Sequence, residues 1–98
     1  MVLFLGSIIK FYLKDFHGAI ADLSKCIMME PIQYPSAYYF RGRSKFELSQ
    51  YTGAKSDYSE CLSLNPNFKN AYIHRAEVRK LLGDQRGYRA DISRAQEL

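Results

Sequence analysis

The chain contains no hydrophobic run long enough to cross a lipid bilayer. Its most apolar stretch, MVLFLGSIIKFYL at residues 1–13, is far shorter than the ~20 residues that a membrane-spanning helix needs. It also lacks the preceding basic region and the following small-residue cleavage site of a secretory signal peptide. We therefore expect no membrane segment and no signal peptide in this chain, and a cytoplasmic location.

A strong excess of one charge is also missing. Fourteen lysines and arginines oppose ten aspartates and glutamates, which leaves a net charge of +4, far from the dense basic stripe of a dedicated DNA-binding protein. The sequence shows no paired catalytic carboxylates, no nucleophile beside a base, and no glycine-rich phosphate loop. We therefore expect a protein that is not an enzyme and that needs no cofactor.

Cysteine and histidine are sparse, with two residues of each. Cys26 and Cys61 occupy the same position in two similar segments, and equivalent positions of stacked repeats lie ~10 Å apart, beyond the reach of a disulfide. His17 and His74 fall on no metal-ligand spacing with each other or with the cysteines. We expect both cysteines to be small buried residues, and we expect no metal site.

The feature that the chain does possess is a repeated segment. FHGAIADLSKC at residues 16–26 returns as YTGAKSDYSEC at residues 51–61 and, more weakly, as QRGYRADISRA at residues 85–95. In the first copy, apolar residues recur three or four positions apart, which is the stripe of an amphipathic helix. Pro31 and Pro66 follow the first two copies and are expected to stop their helices.

A second helical pattern precedes these segments, in AYYFRGRSKFEL at residues 37–48 and in AYIHRAEVRKLLGD at residues 71–84. Gly83 is a natural helix terminator, and Asp84 is a natural N-cap for the next helix. Gly42 lies inside its predicted helix, where it costs ~1 kcal/mol relative to alanine, so a neighbouring helix is expected to approach closely there. The sequence predicts an all-α chain in which a helix–turn–helix unit occurs three times.

This pattern resembles the tetratricopeptide repeat, a unit of about 34 residues with small residues at fixed points in both helices and a proline at its end. Small residues carry the resemblance at three kinds of position. They are Ser7, Gly42 and Ala76 in the first helix of each unit, Ala19 and Ala54 at the start of the second helix, and Cys26, Cys61 and Ala95 later in it.

The resemblance implies one domain over residues 1–98, with repeats at about 1–34, 35–68 and 69–98. Their helix pairs are expected to stack into an α-solenoid, a short right-handed superhelix whose first helices line a concave groove. That groove is the usual binding site of the family. The resemblance therefore implies a scaffold that binds a peptide or a helix of a protein partner.

The partner-binding residues are expected on the first helices, on the side that faces away from the second helices. They form an aromatic groove with few polar points, although some of these aromatic residues would instead be partly buried core. They are Phe4, Ile8, Tyr39, Phe40, Arg43, Phe46, Ile73, His74 and Glu77.

The carboxylate clamp of co-chaperones, which holds the acidic tail of a chaperone, is a known use of three such repeats. By the resemblance, its residues would fall at Phe4, Ile8, Phe40, Asn70 and His74. None of these supplies the strong cation that the clamp needs. We therefore expect that this chain is not a chaperone carboxylate clamp.

Two alternatives to a peptide-binding scaffold stay open, and the first is binding of single-stranded RNA by a related helical-hairpin repeat. The last repeat is rich in arginine, at Arg75, Arg79, Arg86, Arg89 and Arg94. These arginines scatter around their helices, so we expect them to form a solvated face and expect no nucleic-acid partner.

The second alternative is self-assembly through the ends of the chain. The first helix has more apolar residues than one face can bury, namely Val2, Phe4, Leu5, Ile8, Ile9, Tyr12 and Leu13. An exposed apolar patch of that size is unusual for a soluble monomer. We therefore expect this helix to be covered by a second copy of the chain, by a partner, or by an upstream repeat of a longer protein.

Overall fold

A computed structural model describes residues 2–29 and 34–98, which form six α-helices. In chain order these are α1 (Val2–Tyr12), α2 (Phe16–Met29), α3 (Pro35–Glu47), α4 (Tyr51–Leu64), α5 (Lys69–Leu81) and α6 (Gln85–Glu97). No β-strand occurs within the two described ranges. The predicted all-α fold is confirmed, whereas Pro31, the residue predicted to stop α2, lies outside the described residues.

The two helices of each pair are joined by a short turn that contains one residue with left-handed backbone geometry. These residues are Lys14 (φ 66°), Ser49 (φ 62°) and Gly83 (φ 84°). Glycine adopts this conformation without a steric penalty, which agrees with the predicted terminator role of Gly83. The carboxylate of Asp84 then accepts a hydrogen bond of 2.9 Å from the backbone N–H of Gly87, so its predicted N-cap role is confirmed.

The three helix pairs stack in a row. Within each pair the two helices pack together, and α2 packs on α3 as α4 packs on α5. The first helices also contact each other, α1 with α3 and α3 with α5, but no contact joins α2 to α4 or α4 to α6 among the described residues. Since the first helices lie closer together than the second helices, the stack curves with α1, α3 and α5 on its inner, concave face.

Small residues at the predicted positions let the helices pack closely. The fully buried ones include Ser7, Ala19, Ala54 and Ala76. The ring of Tyr58 on α4 lies against Gly42 of α3, so that a Cβ atom placed on Gly42 would be 2.7 Å from Cε1 of the ring. The close helix approach predicted at Gly42 is confirmed.

Cys26 and Cys61 are buried thiols, as their positions in the repeat predicted. Burial raises the pKa of the Cys61 thiol to about 12. A thiol with such a pKa stays protonated at neutral pH and is therefore a poor nucleophile and a poor metal ligand. The structure gives Cys61 a packing role in the core.

Candidate functional site

A hydrogen-bonded ion pair fixes the first helix of the second pair against its neighbours. Arg41 of α3 donates from Nε and Nη2 to the two carboxylate oxygens of Asp57 on α4, at 2.9 and 2.8 Å. Its Nη1 donates to Oγ of Ser24 on α2 at 3.2 Å. One planar guanidinium therefore links three helices of two adjacent pairs, and we call this contact the arginine bracket.

The arginine bracket recurs in the third pair. Arg75 donates to the two carboxylate oxygens of Asp91 at 2.9 and 2.7 Å and to Oγ of Ser59 at 3.2 Å. Arg79 adds a bond of 3.0 Å to the same carboxylate. The expected solvated face is therefore wrong for Arg75 and Arg79, because both side chains are largely covered and ion-paired.

The sequence contained a signal for the arginine bracket that the analysis of single helices missed. In both brackets the arginine precedes the repeated aspartate by 16 residues. In the first pair, the position equivalent to Arg41 is Gly6, and the one ion pair of Asp22 among the described residues is with Lys10, whose Nζ donates to it at 2.7 Å. The first pair thus lacks the bracket.

A hollow of about 240 Å³ lies between α3 and α5 on the face formed by the first helices. Four of the nine predicted partner-binding residues line it, namely Arg43, Phe46, His74 and Glu77. Sequence reasoning missed the other two lining residues, Glu47 and Tyr58. Tyr58 belongs to a second helix and reaches the hollow because its ring occupies the space that a side chain at Gly42 would fill.

Arg43 is the only cation among the residues that line this hollow. Its guanidinium carbon lies 4.9 Å from the ring centre of Phe11 and 5.7 Å from that of Tyr39, within cation–π range. Arg43 forms no ion pair with any residue in the described ranges. Its charge is thus positioned by two aromatic rings and is not paired with a carboxylate of the described residues.

His74 forms the opposite wall as a neutral aromatic ring. Its ring centre lies 5.6 Å from that of Tyr39 and 6.1 Å from that of Tyr58. Burial lowers the pKa of His74, and the positive charge of Arg43 lowers it further. At neutral pH the histidine therefore supplies a flat, uncharged surface rather than a second cation.

Two further predicted residues lie beneath the groove rather than on its surface. Tyr39 is only 5% exposed, and its ring centre lies 4.9 Å from that of Phe68, which immediately precedes α5. Burial accordingly raises the pKa of the Tyr39 hydroxyl. Phe40 is partly buried against Phe11 and Tyr12 of the first pair, with ring centres 5.4 and 6.4 Å away. Both side chains serve the packing between repeats.

The remaining predicted residues lie away from the hollow. Phe4 lines a separate cavity of about 140 Å³ with Tyr34 and Pro35. Ile8 is partly buried on α1. Ile73 is 39% exposed near the end of the stack, where it shares a second hollow with Glu77. The structure thus divides the nine residues between one central hollow, the core and the two ends.

Two other kinds of site are absent from the described part of the chain. No three side chains of histidine, cysteine, aspartate or glutamate come together there as candidate metal ligands. None of its helices has the length and apolarity that a bilayer crossing would require.

Three solved structures share this architecture at low sequence identity. The first TPR of Spaghetti (RPAP3), solved bound to the HSP90 peptide SRMEEVD, has a TM-score of 0.92 and 25% identity, covering 98% of this chain and 75% of that chain. PcrH, solved with the chaperone binding region of PopB, has a TM-score of 0.91 and 19% identity. The match covers 97% of this chain and 76% of that chain. MamA has a TM-score of 0.90 and 18% identity. The match covers 95% of this chain and 54% of that chain, so this chain spans about half the length of MamA.

Sequence comparison agrees with the structural comparison. The family model of the tetratricopeptide repeat matches residues 35–68, and no curated protein sequence matches the chain. The middle third of this chain thus fits the tetratricopeptide-repeat model, and its three helix pairs stack as they do in a solved tetratricopeptide-repeat domain.

Proposed function

We propose that this chain is a protein-interaction scaffold that binds a peptide or short helix of a partner on its concave face. The observation that carries the proposal is the hollow between α3 and α5, in which Arg43, free of any ion pair to a described residue, stands opposite the uncharged ring of His74. Two structural neighbours were solved with a peptide or a partner region bound. Their common fold supports the same general use here.

The charges of the hollow indicate which segment it would accept. Arg43 stands with two carboxylates, Glu47 and Glu77, around an aromatic floor. A segment that inserts an apolar anchor and carries charges of both signs at its edges matches this lining. An acidic tail does not, because the two carboxylates repel it and His74 is held neutral. The chain is therefore proposed to bind something other than the ligand of a chaperone carboxylate clamp.

Peptides selected from a random phage-displayed library on the immobilised chain test this proposal. We expect the combined substitution Arg43→Ala and Phe46→Ala to weaken the selected peptides by about tenfold or more, without loss of helical content by circular dichroism. The matched control is Arg86→Ala with Arg89→Ala on the exposed surface of α6, which should leave the affinity unchanged. Peptides that bind the groove variant as well as the unaltered chain, but fail to bind the control variant, would place the site on the arginine-rich surface of α6.

RNA binding is the weaker candidate because Arg75 and Arg79, two of the five arginines in the last repeat, are already paired with Asp91. An oligonucleotide titration at rising salt distinguishes the two functions. A nucleic-acid site loses affinity steeply as salt rises, whereas an apolar anchor in the groove does not.

A further inference from the structure

Two positions of a first helix face the preceding repeat. In α5 they hold His74, which contacts Tyr39 and Tyr58 of the second pair, and Val78, which is fully buried in the same core cluster. In α3 they hold Phe40, which packs on the first pair, and Ser44, which is fully buried. We call the face that these two positions form the donor side of a repeat, meaning the face that docks on the preceding repeat. It lies at both internal interfaces between repeats.

The same two positions in α1 are uncovered. They hold Leu5 and Ile9, which are 57% and 60% exposed. Tyr12, the last residue of α1, and Leu13, which follows it, are also exposed. The first helix thus presents a donor side of the kind that α3 and α5 bury, but with larger apolar side chains than the buried serine of α3.

The opposite end of the stack presents the receiver side, the surface of a repeat on which the first helix of the following repeat docks. Inside the chain, α5 docks on Tyr39 and Tyr58; one repeat later, the equivalent residues are Ile73 and Ile92. These two isoleucines line a hollow of about 430 Å³ with Leu81 and Tyr88, and a second one of about 310 Å³ that extends to Ala95. The receiver side of the last repeat therefore has an apolar centre, although Lys69, Glu77, Lys80 and Gln96 also line the two hollows, and no helix of the described residues docks on it.

The exposed positions of α1 and of the α5–α6 end are equivalent to the positions that pack together between repeats inside the chain. We therefore infer that α1 of one copy docks on the α5–α6 end of a second copy, so that the repeat stack continues head to tail. The contact joins two different surfaces of the same chain, so it is heterologous and leaves one free surface at each end of the assembly. Rows of increasing length follow as the concentration rises. This inference specifies what covers the first helix and is independent of peptide binding on the concave face.

The strength of the contact follows from what α1 lacks. Ser93 is the equivalent of Ser24 and Ser59, the serines that accept a hydrogen bond from the arginine bracket of the next repeat. The docked α1 has Gly6 in place of that arginine. The contact between copies therefore lacks the arginine bracket and rests mainly on apolar burial, so it is weaker than the internal interfaces.

Sedimentation velocity from about 1 to 100 μM, the range of weak association, tests the inference without any peptide present. The mean mass of the unaltered chain is expected to rise with concentration beyond that of a dimer. Ile9→Glu removes the donor side, and Ile73→Glu removes the receiver side, so each variant alone should be monomeric. An equimolar mixture should form dimers and nothing larger, because each variant retains the side that the other lacks.

The control is Ser56→Glu, which adds the same charge on the exposed surface of α4 and should associate like the unaltered chain. Circular dichroism verifies folding, and Leu81→Glu, at a position 56% exposed, replaces Ile73→Glu if that variant unfolds. A chain that stays monomeric throughout overturns the inference. So does a receiver-side variant that associates normally, since that result means pairing between two copies of α1.

Discussion

Two glycines occupy helix interiors in this chain, and their surroundings differ. A Cβ atom on Gly42 would lie 2.7 Å from the buried ring of Tyr58 and 3.2 Å from the backbone oxygen of Ala54. A Cβ atom on Gly6 would have nothing within 4 Å. Gly42 is required by the packing of α3 on α4, whereas Gly6 only marks the missing arginine of the first repeat.

The same substitution at these two residues should therefore have opposite effects on stability. Gly6→Ala is expected to increase the free energy of unfolding by about 0.5–1 kcal/mol, because alanine favours the helix and meets no obstacle. Gly42→Ala is expected to lower it by about 1–3 kcal/mol, because overpacking against the Tyr58 ring outweighs the gain in helix propensity. Urea melts at low protein concentration measure both. Shifts of the two midpoints in the same direction would contradict the packing at Gly42.

At the scale of the helices, the arginine bracket explains how neighbouring pairs keep a fixed orientation. Apolar contacts alone allow helices to slide, whereas Arg75 makes two parallel bonds to Asp91 and a third bond to Ser59 on the preceding pair. Asp91 is buried, so its charge needs these partners. Arg75, together with Arg79 on the same carboxylate, therefore helps to fix the orientation of α5 and with it the wall of the groove.

Arg75→Lys tests the geometry of the bracket rather than its charge. Lysine retains the positive charge but loses the planar fork that reaches both carboxylate oxygens and the serine, so we expect a loss of about 1–2 kcal/mol in the free energy of unfolding. Arg89→Lys on the exposed surface of α6 is the control and should change stability by less than about 0.5 kcal/mol. Equal denaturation midpoints for the two variants would show that the planar fork of Arg75 is not needed to hold Asp91.

At the scale of the whole molecule, each helix pair contacts only its neighbours. Within the described residues, α4 packs on both α3 and α5, whereas α6 packs on α5 alone. Stability in such a stack is a sum of contributions from repeats and from the interfaces between them. The ends are therefore less stable than the middle.

Hydrogen exchange of the backbone amides should follow this order. At low micromolar concentration, where copies do not associate, we expect the amides of α6 to exchange faster than those of α4, because α6 can unfold without breaking an interface on both sides. Mass spectrometry of the exchanged and digested chain gives the protection of each helix. Uniform protection from α1 to α6 would mean that all three repeats unfold as one unit.

The sequence by itself determined the six helices, because apolar periodicity, small residues and helix terminators act within one turn or one repeat. It located Gly83 and Asp84 in the connection between α5 and α6, and it predicted that a neighbouring helix approaches closely at Gly42. The structure agrees on both points. The local pattern also carried the resemblance to the tetratricopeptide repeat, whose family model matches residues 35–68.

The tertiary structure alone decided which residues of the first helices are exposed on the concave face and which are buried beneath it. Helical register put Tyr39 on the groove side, but the docking of α5 covers its ring with His74 and with Phe68, the residue just before that helix. The same docking brings Tyr58 of a second helix into the hollow and pairs Arg75 with an aspartate 16 residues away. Exposure and ion pairing depend on contacts between repeats, and the periodicity of a single helix carries no information about these contacts.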